Sequence, residues 1–87
     1  MVTDCLRWRM EAKAIFGANV RKARKAAGIS QERLALDADV ARSYMSDLER
    51  GVRNPTVEVI GRLAMALNVG AAVLVEGIPE RLREGRR

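Results

Sequence analysis

Residues 30–51, SQERLALDADVARSYMSDLERG, constrain the fold more than any other stretch of the chain. Leu34, Ala35, Val40, Met45 and Leu48 are small or apolar, at spacings that put them on the facing sides of two short helices. Ala38-Asp39-Val40 lies between those helices and leaves room only for a tight turn. The second helix then carries Arg42, Ser43, Ser46, Asp47 and Arg50 on its free side. That side is a hydrogen-bonding surface with no catalytic chemistry. A short helix, a tight turn and a second helix with a polar outer face make a helix-turn-helix pattern.

The rest of the composition agrees with a small helical domain. A chain of 87 residues predicts one domain. There is one each of Trp, Tyr and Phe, and the apolar share comes mostly from Ala, Val, Leu and Ile. That balance favours closely packed helices over a sheet, so the expected class is all-α. No run of about 18 apolar residues is present to span a membrane. Arg7, Arg9, Glu11 and Lys13 interrupt any signal-peptide apolar core, and a cytoplasmic location is expected. Cys5 has no second cysteine to form an internal disulfide; it suits a reducing compartment, although it can pair between chains. The chain has no histidine, no metal-spaced cysteine pair and no phosphate-cradling glycine loop, so no enzyme activity, metal or cofactor is expected. The net charge of +5 points to a polyanionic partner. Its placement says more than its sum: Arg21, Lys22, Arg24 and Lys25 cluster before the motif, and Arg81, Arg83, Arg86 and Arg87 crowd the end.

In chain order, residues 1–11 read as an extension, with Asp4 able to cap a short helix from Cys5. Residues 12–76 read as the domain and 77–87 as a basic tail. Over 12–27, Ile15, Phe16, Val20, Ala23 and Ala27 form one apolar stripe, and Gly28 supplies a left-handed stop. Gly17 inside that helix costs roughly 1 kcal/mol relative to alanine, which a close helix crossing would explain. Ser30 caps the second helix, and Ala41 stands where a polar cap would normally start the third, over 42–50. Pro55-Thr56 opens a fourth helix with Val57, Ile60, Leu63, Ala64 and Leu67 as its stripe, ended by Asn68. Residues 70–75 read as a fifth short helix, with a strand over 73–75 as the alternative, and one helical turn is expected over 80–84.

This arrangement suits double-stranded DNA. Arg42, at the start of the second motif helix, matches the O6 and N7 acceptors of guanine in the major groove. Ser43 and Ser46 are further candidates for base contacts, and Tyr44 for the sugar–phosphate backbone. Gln31, at the N-terminus of the first motif helix, can add a donor where free backbone N–H groups favour a phosphate. Asp47 can accept from cytosine or pair within the protein with Arg50 or Arg53; both readings stand. Val69, Ala71, Ala72, Val73, Leu74, Val75 and Ile78 are too apolar for so short a segment to bury alone. A homodimer interface through Val69, Ala72, Val73, Val75 and Ile78 would cover it, or residues 1–11 would fold back over it. No second domain is present to house a small-molecule effector, and none is expected.

The ordered set Arg24, Gly28, Ser30-Gln31, Leu34-Ala35, Val40, Glu49-Arg50-Gly51, Asn54-Pro55-Thr56 and Leu63-Ala64 resembles the lambda-repressor-like helix-turn-helix domains of the Cro/cI-type, or XRE, family. Residues 41–54, ARSYMSDLERGVRN, look most like the short controller proteins of restriction–modification systems and similar stand-alone regulators. The resemblance covers about residues 14–75 and implies five helices, a homodimer on a palindromic operator, and a transcriptional regulator. It implies that Arg53 and Asn54 contact phosphates from the loop after the recognition helix. It also implies an internal ion pair between Arg24 and Glu49. Ala41 and the extension 1–11 depart from the family pattern. An antitoxin-like protein-interaction module on the same scaffold is the competing expectation.

Overall fold

Five helices and no strand make up residues 2–78, which the computed structural model describes, with side chains from residue 9 onward. They are α1 (Val2–Ala27), α2 (Gln31–Ala38), α3 (Arg42–Glu49), α4 (Val57–Leu67) and α5 (Ala71–Leu74). The expected alternative of a strand over 73–75 is therefore replaced by α5 and the turn that follows it. The helical turn expected over 80–84 lies outside the described residues, as does the side chain of Cys5.

Local chemistry sets most of the helix ends. Ser30 has an extended backbone, and its side-chain oxygen accepts from the Arg33 N–H, satisfying one of the free donors at the start of α2. Thr56 does the same for Val59 at the start of α4. Asp39 and Asn68 close α2 and α4 in the left-handed conformation, a geometry that Asp and Asn tolerate better than most residues. Ala41 opens α3 without any side-chain cap.

The core draws on all five helices. Phe16 and Val20 of α1, Leu34, Ala35 and Ala38 of α2, and Met45 and Leu48 of α3 are buried with Val59, Leu63, Ala64 and Leu67 of α4 and Leu74 of α5. Each fully buried large aliphatic side chain contributes about 1.5–3 kcal/mol by leaving water. α2 packs on α3 and α4, while α1 lies across α3, α4 and α5.

Expectations at both ends of α1 and at the start of α4 change. α1 is one helix of 26 residues that runs unbroken from Val2, so no break separates residues 1–11 from the helix expected over 12–27. Asp4 consequently lies inside the helix instead of at its cap, and Arg9 of this helical extension lines one groove with Val75 and Ile78. In α4 the buried row starts at Val59, while Val57 is 86% exposed: positions 59, 63 and 67 share one face, and the first residue of the helix points away from it. Ala27 is exposed as well, because the apolar stripe of α1 leaves the core one turn earlier.

Candidate nucleic-acid interface

A single carboxylate joins the three elements that frame the motif. Glu49, at the end of α3, accepts through Oε2 from Arg24 Nε at 2.6 Å and through Oε1 from Arg24 Nη2 at 3.1 Å. Arg24 also donates from Nη1 to the Ile29 carbonyl at 3.0 Å, tying the end of α1 to the segment that leads into α2. Gln31 Nε2 completes the set by donating to Glu49 Oε1 at 2.9 Å. The Glu49 side chain is only 3% exposed and that of Arg24 12%, so the bidentate pair is close to fully buried. Such a pair holds its partners firmly chiefly because loss of one leaves the other charge uncompensated.

This network sets the relative pose of the two motif helices. Ser30 at the start of α2 and Arg42 at the start of α3 line one shallow surface depression, with Leu36 and Val40 between them. The N-terminal ends of α2 and α3 therefore border the same depression, which Glu32 and Arg33 also line, each with the positive end of its helix dipole. Arg42 and Ser43 are exposed there, and Ser46, one turn further along α3, is half-buried. A further pair organises the exit from α3. Asp47 Oδ1 lies 2.6 Å from Arg50 Nη2, and Asp47 Oδ2 lies 3.5 Å from Arg53 Nε. Asp47 thus takes the intraprotein role of its two possible readings. The Arg53 guanidinium stands 5.4 Å from the centre of the Tyr44 ring, within cation–π range. Asn54 is exposed in the same loop.

Among the residues expected to form an interface between copies, Ala72 and Val73 are exposed. Val69, Val75 and Ile78 pack in part against the core of their own chain. Two polar roles were not visible in the sequence. Gln31 faces inward to Glu49, and Asn19 of α1 donates from Nδ2 to the carbonyls of Leu74 (2.9 Å) and Glu76 (3.0 Å), fastening α5 to α1. A weak signal for the latter exists: Asn is a poor choice inside a helix unless its amide has a task. Among the described residues no cluster of His, Cys, Asp or Glu is placed to hold a metal ion. No described helix is long and apolar enough to cross a membrane.

The helix-turn-helix family matches residues 20–74, the span from the middle of α1 to the end of α5. The chain belongs to this XRE-type helix-turn-helix family. Its XRE-family relatives include the HTH-type transcriptional regulator y4dJ of Sinorhizobium fredii, 38% identical over 66 residues that cover 76% of this chain and 86% of that protein. Control protein C.BamHI of Bacillus amyloliquefaciens is 41% identical over 58 residues, 66% of this chain and 72% of the relative. Among solved structures, the restriction-modification controller protein C.AhdI from Aeromonas hydrophila superimposes with a TM-score of 0.70 at 40% identity, covering 71% of this chain and 94% of that one. This XRE-family chain is accordingly a transcriptional regulator with a helix-turn-helix DNA-binding domain.

Proposed function

We propose that the protein binds a palindromic operator as a homodimer and reads its sequence with α3 in the major groove. The observation that carries this reading is the pair of helix N-termini bordering one depression, braced from behind by Glu49. Arg42 and Ser43 read base edges from the first turn of α3, with Ser46 one turn deeper. Phosphates are held by Gln31, Tyr44, Arg53 and Asn54. Gln31 spends one amide hydrogen on Glu49 and keeps the other for a phosphate oxygen. Tyr44 and Arg53 brace each other through the ring contact, which limits the entropy lost when they engage the backbone.

Ala72 and Val73 centre the proposed two-fold interface, and Val69, Val75 and Ile78 contribute the area that the core leaves uncovered. A two-fold dimer of this kind sets its recognition helices about 34 Å apart, one turn of DNA. The similarity to control proteins supports regulation by operator binding in preference to an antitoxin-like role in which DNA binding is secondary.

The test starts from a duplex selected out of a random DNA pool and a scrambled duplex of equal length. Fluorescence anisotropy with Arg42→Ala should show discrimination between the two reduced by about 5- to 150-fold, the value of one bidentate arginine–guanine contact. Discrimination equal to that of the unmodified protein removes Arg42 from the base-reading set.

A further inference from the structure

We propose that Arg9 and Lys13, on the N-terminal half of α1, form an additional phosphate-contact point that extends the DNA backbone track beyond the loop after α3. The inference rests on the proposed reading in which Asn54 contacts the backbone. Arg9 and Lys13 are four residues apart and so share one side of the helix. They line a single groove with Asn54 and Pro55 of the loop that leaves α3, together with Phe16, Ile60 and the Val75 and Ile78 that border the proposed interface between copies. No acidic residue lines that groove. Among the described residues neither cation has a carboxylate within ion-pair distance, a state shared with Arg21, Lys22, Lys25 and Arg42, whereas Arg24, Arg33, Arg50, Arg53 and Arg62 each face one.

The position of the two cations relative to the recognition helix is fixed by backbone packing. One turn along α1 from Lys13, Gly17 lies so close to α3 that an added Cβ would meet the Leu48 carbonyl oxygen at 2.3 Å. Ala14 also approaches Gly51: a Cβ on Gly51 would meet the Ala14 Cα at 2.9 Å. α1 and the start of the loop are thus packed backbone against backbone on the stretch that follows Lys13. A point charge, a guanidinium fork and an amide donor at the mouth of one acid-free groove suit the non-bridging oxygens of a phosphodiester.

The experiment uses the full chain and the double variant Arg9→Gln/Lys13→Gln, titrated against the selected and scrambled duplexes between 50 and 200 mM salt. Each lost phosphate contact makes the slope of log affinity against log salt less negative by about 0.9, hence about 1.8 for both. The affinity gap between the unmodified protein and the variant then narrows roughly tenfold across that range. Discrimination between the duplexes and the unfolding temperature should stay unchanged. An unchanged salt slope in the variant overturns the proposal while leaving the operator-binding reading intact. A lower slope accompanied by loss of the dimer in analytical ultracentrifugation overturns it in favour of an interface between copies. Salt-independent binding by the unmodified protein overturns both this proposal and the reading on which it rests.

Discussion

Gly17→Ala isolates how closely α1 must approach α3. An ideal Cβ at this position would lie 2.3 Å from the Leu48 carbonyl oxygen, 2.9 Å from that of Glu49 and 3.1 Å from the Glu49 carbonyl carbon. Ordinary carbon–oxygen contacts are about 3.3–3.6 Å, so the end of α3 must retreat by roughly 1 Å. All three obstacles are backbone atoms, and no rotamer change can relieve them. Two effects oppose each other. Alanine is favoured over glycine inside a helix by about 1 kcal/mol. Overpacking of a close interface costs about 1–3 kcal/mol, and more where only backbone can yield. The clash wins, leaving a net loss of roughly 1–2 kcal/mol. For a domain of this size that lowers Tm by about 5–15 °C. Operator affinity should fall too, because the displaced residue, Glu49, holds both Arg24 and Gln31. Gly61→Ala in α4 is the control, since a Cβ there would meet nothing within 4 Å. It should raise stability by up to about 1 kcal/mol through propensity alone. Thermal unfolding followed by far-UV circular dichroism compares the two. A Gly17→Ala protein that melts at or above the temperature of the unmodified chain would refute the close-approach reasoning.

Two other perturbations address the same unit. Glu49→Ala leaves the buried guanidinium of Arg24 unpaired and should cost about 3 kcal/mol in urea unfolding. The apolar double variant Arg24→Met/Glu49→Leu should recover part of that loss, and a single variant within 1 kcal/mol of the unmodified protein, by the same rough scale, would deny the pair its bracing role. Ala41→Ser supplies the missing cap of α3, whose extended backbone already has the required geometry, and should add about 0.5–1 kcal/mol. Hydrogen exchange at Ser43 and Tyr44 should slow in that variant, and exchange as fast as before would mean that the serine does not cap.

Five elements were legible in the sequence because the signals that start and stop a helix act within about one turn. Ser30 and Thr56 needed only the N–H three residues ahead, and Asn68 needed only a conformation its own side chain tolerates. The apolar spacing of Leu34, Met45, Leu48 and Leu63 likewise identified core residues without knowledge of what they would touch. The helix-turn-helix unit, with Arg42 and Ser43 on its free surface, follows from that same local information.

What tertiary structure alone decided depends on where the helices cross. The extension before residue 12 announces only a short helix of its own from Cys5, yet α1 runs unbroken from Val2 to Ala27. Val57 and Val59 offer the same side chain two positions apart, and only the face that α4 turns to the core selects Val59. Gln31 reads as a surface residue until the end of α3 is brought beside it, 18 positions away, where its amide meets Glu49. Asn19 finds the carbonyl of Leu74 across 55 positions of chain. Sequence therefore determined the helices and the exposed polar face of α3, because propensity, capping and periodicity are near-neighbour effects. The bracing behind that surface belongs to the fold, because a hydrogen bond between distant residues exists only once packing has set the distance.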